Sequence, residues 1–228
     1  MNKIKRVYRH EKKYILNWNE FLIINNKLKY LLRLDKNCPK EGYEVKSLYF
    51  DNPYNFALAQ KIDGDETRHK YRIRVYNDNF SYLKLERKSK YNVMTNKESV
   101  FLTKKEAEQI VSGDVDFLQK NTNYLLQDFY FKVKKQMYSP KTIVKYSRIA
   151  YVYPVSNLRV TFDFKIERSN NVDKFFTKDN GYMKAYDPNS VVMEIKFDDI
   201  LPRFIRDSIQ LSNVVASSSS KYVTARLA

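Results

Sequence analysis

From Lys70 to Val75 the chain alternates strictly, with Lys70, Arg72 and Arg74 at one set of positions and Tyr71, Ile73 and Val75 at the other. An extended strand sends successive side chains to opposite faces, so such a run resolves into one charged and one apolar face. Lys84, Glu86 and Lys88 repeat the pattern opposite Leu83 and Leu85. Arg159, Thr161, Asp163, Lys165 and Glu167 lie opposite Val160, Phe162, Phe164 and Ile166, and Glu194 and Lys196 opposite Met193, Ile195 and Phe197. Arg9, Glu11 and Lys13, and again Tyr146 and Arg148, are shorter instances.

For any one strand the simplest account is an antiparallel sheet with one face in water. Across six strands that account weakens, because the polar faces are dominated by Arg and Lys, most with an acidic residue among them. Like charges on neighbouring strands repel unless an anion lies between them. A closed antiparallel barrel with a basic lumen and helices packed outside resolves the conflict, so the expected class is α+β. The acidic residues Glu11, Glu86, Asp163 and Glu194 read first as partners that hold basic side chains in place. A second reading gives one or two of them a hard divalent cation, which accepts carboxylate and phosphate oxygen together.

The formal charge of +16, from 42 Lys and Arg against 26 Asp and Glu, points to an anionic partner. Nucleic acid, acidic lipid and phosphorylated small molecules or polymers all satisfy it. Four glycines cannot build a P-loop or a dinucleotide fingerprint, and two distant histidines with one cysteine give no zinc pattern. The single Cys38 suits a reducing compartment, and no run of about 18 apolar residues is present to span a bilayer. A cytoplasmic protein is expected, any membrane association coming through a separate partner.

Helices are expected over Asn19–Leu34 with Asn17 or Asn19 as cap, from Thr103 to Gly113 with a Thr103–Glu106 capping box, over Asp116–Met137, and after Pro202 as far as Leu211. Strands are expected at Val7–Leu16, Glu44–Phe50, Lys70–Tyr76, Phe80–Lys88, Lys97–Leu102, Thr142–Val152, Leu158–Arg168 and Val191–Phe197, with a turn at Asn77-Asp78-Asn79. No boundary divides the chain, and residues 1–228 read as one domain.

Eight segments occur in a telling order: RHEKKY (Arg9–Tyr14), SLYFDNP (Ser47–Pro53), KYRIRVY (Lys70–Tyr76), LKLERK (Leu83–Lys88), KYSRIAY (Lys145–Tyr151), RVTFDFKI (Arg159–Ile166), VVMEIKF (Val191–Phe197) and SSKYV (Ser219–Val223). In this order they resemble VTC domains, the polyphosphate polymerase domains of the triphosphate tunnel metalloenzyme superfamily. The resemblance implies a barrel tunnel, transfer of the γ-phosphate of ATP to a growing polyphosphate chain, and Mn²⁺ or Mg²⁺ as cofactor. Carried over position by position, it implies catalytic roles for Lys13, Arg72, Arg74, Lys88 and Arg148. Lys97, Tyr146 and Lys221 would bind substrate, and Glu194 would bind the metal. The alternation itself adds Arg9, Lys84, Arg159 and Lys196 as substrate contacts.

One departure matters. Hydrolytic and cyclase branches of that superfamily begin with an ExExK signature, whereas here the run is Arg9-His10-Glu11-Lys12-Lys13. The first carboxylate is an arginine, which favours the polymerase branch. A tri- or polyphosphate hydrolase and a non-catalytic binder of polyphosphate, nucleotide or RNA stay open, although the tyrosines are too scattered to make nucleic acid an expected partner.

Overall fold

A computed structural model describes residues 9–92, 94–178, 181–209, 217 and 220–228. The alternating segments all become strands. β1 (His10–Asn17), β3 (Tyr43–Asp51), β4 (Thr67–Tyr76), β5 (Leu83–Tyr91), β6 (Met94–Leu102), β7 (Ser139–Tyr153), β8 (Leu158–Ser169) and β10 (Ser190–Phe197) form one antiparallel path, ordered β1-β10-β8-β7-β3-β4-β5-β6. Two short strands, β2 (Arg33–Leu34) and β9 (Met183–Lys184), pair with β7 and β8.

The path is not sealed into a barrel by a continuous ladder, contrary to the closed barrel expected. Among the described residues its edges β1 and β6 meet at one isolated bridge, Arg9 to Thr95, reinforced by an ion pair from Lys88 to Glu11 at 2.8 Å. The curved sheet still encloses a tunnel-like space.

The outward faces are apolar and covered by helices. α3 (Lys104–Ser112) and α4 (Tyr124–Gln136) bring Ala107, Ile110, Leu126 and Phe129 onto Leu48, Ile73 and Leu85. On the other side α1 (Trp18–Leu31) and α5 (Arg203–Ile209) bring Phe21, Ile24, Leu28 and Ile205 onto Val160, Phe162, Met193 and Ile195. Each buried Leu, Ile, Val, Met or Phe side chain among them contributes about 2 kcal/mol. A third cluster lies on the inner side: α2 (Phe56–Ile62) and α6 (Lys221–Leu227) place Leu58, Tyr222 and Ala225 against Val45, Tyr49, Val144 and Tyr146.

Local chemistry explains most boundaries. Asn17 and Thr103 accept from the N–H groups of Glu20 and Glu106, whose carboxylates return the bond, so both helices start with a capping box. Asn77 and Asp78 have φ of 49° and 50°, and Asn79 N–H donates to the Tyr76 carbonyl, the geometry of a tight hairpin turn. Gly42, with φ +85°, brings its backbone against β7; a Cβ there would lie 2.5 Å from the carbonyl oxygen of Arg148.

Several expectations need correction. The helix from Asn19 stops at Leu31, and the chain then extends through Leu32 into β2. Asp116–Met137 is not one helix. It splits into a 3₁₀ turn at Asp116–Leu118 and α4, which is capped by Asn123. β7 begins earlier than expected, at Ser139, and Pro140 is accommodated at an irregularity in the β3 pairing. β5 starts at Leu83, since residues 80–82 belong to the turn. α2 and α6 had no helical signal. Val7, Gln210, Leu211 and Ser219 lie outside the described residues.

The β8 alternation also breaks. Lys165 adopts φ 51°, and the β7 pairing slips there from Ser147–Phe164 to Lys145–Glu167, leaving one extra residue on β8. This bulge reverses the facing. Ile166 turns into the inner cluster, while Glu167 meets Lys145 at 3.1 Å away from the tunnel.

Candidate functional site

The inner faces of the strands enclose a cavity of about 720 Å³. Of the expected site residues, Lys13, Arg72, Arg74, Lys88, Lys97, Tyr146, Arg148, Lys221 and Glu194 line it, as do Arg9, Arg159 and Lys196. Lys84 does not. Its ammonium sits 4.8 Å from the Tyr82 ring centroid and 4.6 Å from that of Phe101, at the hairpin end of β5, where two aromatic faces hold it.

The cations are anchored from behind by two buried carboxylates. Glu86, 1% exposed, accepts from Arg72 Nε at 2.7 Å and Lys97 Nζ at 2.9 Å, with Arg74 3.6 Å away. Burial pushes the Glu86 carboxyl upward, but Arg72, Arg74 and Lys97 outweigh it and hold the group well below the usual carboxylate range. Asp163, fully buried, takes both forks of Arg148 at 2.6 and 2.7 Å and Lys221 at 2.5 Å. Burial opposes ionisation there too, yet Arg148 and Lys221 hold its pKa down at about 2. The register sets these contacts: Arg72 pairs with Glu86 across β4 and β5, and Arg148 with Asp163 across β7 and β8.

Tyrosines tie the two anchored groups together. The Tyr146 hydroxyl accepts from Arg74 and from Arg148, each at 3.3 Å. Tyr49, absent from the expected site, accepts from Arg72 at 3.0 Å. Burial raises the Tyr49 phenol, but Arg72, Arg74 and Lys221 together bring it below its ordinary value. Nothing in the sequence separates Tyr49 from the other tyrosines; its place on the inner face of β3, opposite Arg72, does.

A second group forms where β1 and β10 pair. Lys13 lies opposite Glu194 and Glu11 opposite Lys196. Glu11 accepts from Lys88 at 2.8 Å and Lys13 at 3.1 Å, and Glu194 from Lys196 at 2.9 Å. Burial acts to raise Glu194, but Lys196, Lys13 and Lys88 and a hydrogen bond with Glu11 draw it well below the carboxylate range. Burial likewise works to lower Lys13, and Glu194 and Glu11 raise it above the ordinary lysine value. Glu11 and Glu194 thus form a two-carboxylate oxygen site. No group of three or more His, Cys, Asp or Glu suited to a metal occurs among the described residues. A pair of carboxylates fits a hard divalent cation that takes its remaining oxygens from phosphate and water, and does not fit zinc or another soft metal.

A sheet curved round a basic space, with carboxylates grouped on its last strand pair, defines a triphosphate tunnel protein. The VTC domain model matches residues 8–228, and the chain belongs to that family. Among solved structures it is similar to an adenylyl cyclase candidate from Hippeastrum described as having a dominant triphosphatase activity, with a TM-score of 0.60 and 14% identity over 97% of this chain and 96% of that one. It is also similar to an adenylate cyclase candidate from Bacillus halodurans, with a TM-score of 0.53 and 10% identity over 86% and 83% of the two chains. No curated protein matches. No helix among the described residues is long and apolar enough to cross a membrane.

Proposed function

We propose that the protein is a metal-dependent polyphosphate polymerase that transfers the γ-phosphate of ATP to the end of a polyphosphate chain. One observation carries the choice of acceptor. Glu86, Asp163 and Glu194 are all held below the ordinary carboxylate range by adjacent cations, which makes them weak bases. Water must lose a proton to attack phosphorus, whereas a chain-terminal phosphate oxygen is already ionised at neutral pH. Carboxylates this weak as bases, set among fixed cations, suit the second nucleophile.

In this reading Arg72, Arg74 and Arg148 grip phosphate oxygens through forked N–H donors, while Lys13, Lys88, Lys97 and Lys221 add point charges. A terminal oxygen of the chain forms a bond to the γ-phosphorus as the bond to the β–γ bridging oxygen breaks, and ADP leaves with that electron pair. The preset orientation of the arginines removes reorganisation from the barrier. Glu194 and Glu11 would hold Mn²⁺ or Mg²⁺, which would supply positive charge to offset the charge developing on the leaving group. Arg159, Lys196 and Arg9 extend the positive lining, and any membrane partner would be a separate protein.

The test is incubation with ATP, Mn²⁺ and a pyrophosphate primer, with the product resolved as a ladder and ADP quantified. The expected result is a ladder matched by ADP, abolished by Glu194→Gln while tripolyphosphate binding persists. ADP with free phosphate and no ladder would establish hydrolysis instead. Binding without turnover would leave a non-catalytic holder of polyphosphate.

A further inference from the structure

Most cations of the cavity have a carboxylate partner: Arg9 meets Asp198, Lys13 and Lys88 meet Glu11, Arg159 meets Asp35, and Arg74 lies 3.6 Å from Glu86. Arg72, Lys97, Arg148, Lys196 and Lys221 each lie within hydrogen-bond reach of Glu86, Asp163 or Glu194. Where α2 meets the Thr67 end of β4, Lys61, Arg68, Lys70 and Lys90 form another set. Among the described residues none of these four has a carboxylate within ion-pair distance. Arg68 donates to the carbonyl of Asp65. Lys70 donates to Ser220 Oγ at 3.0 Å and sits 5.0 Å from the Tyr222 ring centroid.

We infer that Lys61, Arg68, Lys70 and Lys90 form a second phosphate subsite, which takes the part of a linear polyphosphate lying beyond the phosphates held by Arg72 and Arg74. The inference rests on the tunnel being a polyphosphate site. Lys70 stands about 7 Å and Arg68 about 14 Å along β4 from Arg72, so a chain seated on the arginines engages the whole set only when it is longer than a triphosphate.

The surroundings of Lys70 supply an independent signature. It faces Lys61 from α2, Lys13 from β1, Lys88 and Lys90 from β5 and Tyr222 from α6, with Arg68 on its own strand. Glu11 of β1, the acid that acts on Lys90, is taken by Lys13 and Lys88, and Asp51 of β3 is engaged by the N–H groups of Ala57 and Leu58 and by the Tyr222 hydroxyl. Burial first, and then repulsion from Lys13, Lys61, Lys88 and Arg68, lowers the Lys70 ammonium to about 6. Burial first, and then repulsion from Arg68, Lys13 and Lys88, also lowers Lys61 and Lys90, with Glu11 acting the other way on Lys90. A polyanion entering here provides the missing countercharge and restores the proton, so binding a long chain above pH 7 takes up protons and binding a short one does not.

The experiment is titration calorimetry of the full chain with tripolyphosphate and with long-chain polyphosphate, in two buffers of different ionisation enthalpy near pH 8. The wild type is expected to bind the long chain at least about tenfold tighter than tripolyphosphate and to take up protons only with the long chain. Lys61→Gln with Lys90→Gln should erase most of that preference. Lys70→Met should erase proton uptake, and Lys70→Arg should restore long-chain affinity without uptake. Circular dichroism and thermal unfolding of each variant confirm that it is folded. Equal affinity for the two ligands, or a preference that survives the double substitution, would overturn the subsite while leaving the tunnel intact. If the wild type binds neither ligand, the polyphosphate reading itself fails.

Discussion

Asp163 shows how a single side chain can serve stability and at the same time fix two cations of the cavity, Arg148 and Lys221. Its carboxyl is held at about 2, below the ordinary aspartate value, by Arg148 and Lys221 against the effect of burial. A carboxyl depressed in the folded state stabilises the fold above its unfolded pKa, and that contribution is lost as pH falls through the folded value. The expected effect is a loss on the order of 2 kcal/mol between about pH 4 and pH 2, absent in Asp163→Asn, measured by urea unfolding across that range. Glu86 plays the matching role for Arg72 and Lys97. Glu86→Gln should cut turnover by about tenfold or more while tightening tripolyphosphate binding, a split between kcat and Kd that simple unfolding would not produce. The charges themselves were legible from the alternation. Which carboxylate would anchor which arginine was not, because that depends on cross-strand register. Lys84 is the instructive miss: it shares the inward face of Glu86 and Lys88, yet Tyr82 and Phe101 capture its ammonium at the rim.

Elements were readable where the pattern is local and obscure where tertiary contacts decide. The capping boxes of α1 and α3 and the Asn77-Asp78 turn lie in contiguous residues, and they form as the sequence implies. α2 and α6 are seven residues each, too short to hold alone. α2 is fixed by Asp51, which accepts from the N–H groups of Ala57 and Leu58 at 2.9 and 3.1 Å. Neither helix could be seen before the sheet was in place. The Lys165 bulge left no trace either, since the αL position is filled by a lysine in place of the usual glycine or asparagine. Lys165→Gly is therefore expected to be tolerated or mildly stabilising, whereas deleting Lys165 should be severely destabilising, because it returns Ile166 to the opposite face; thermal unfolding distinguishes the two. Gly42→Ala should cost about 1–3 kcal/mol and disturb Arg148, whose carbonyl the new methyl would strike; unfolding and tripolyphosphate affinity should worsen together.

At the scale of the molecule, +16 net charge wrapped round an inner cavity predicts binding that is both steep in salt and stabilising. Tripolyphosphate at about 100 times its Kd should add about 2.7 kcal/mol and raise Tm by roughly 5–10 °C. The shift should shrink as ionic strength rises and vanish in Arg72→Ala with Arg148→Ala, as differential scanning fluorimetry can check. The two buried carboxylates described above bear on something larger than the aim of the arginines. On the polymerase reading, a chain lengthened in the cavity has to advance by one unit after every addition, and a wall of unopposed cations would hold each unit in a deep electrostatic well. Glu86 and Asp163 travel with the arginines as internal counterions, so an arriving phosphate trades one anion for another and gains only the difference. Along the stretch lined by Arg72 and Arg148 the wells would be shallow, and a chain could slide there.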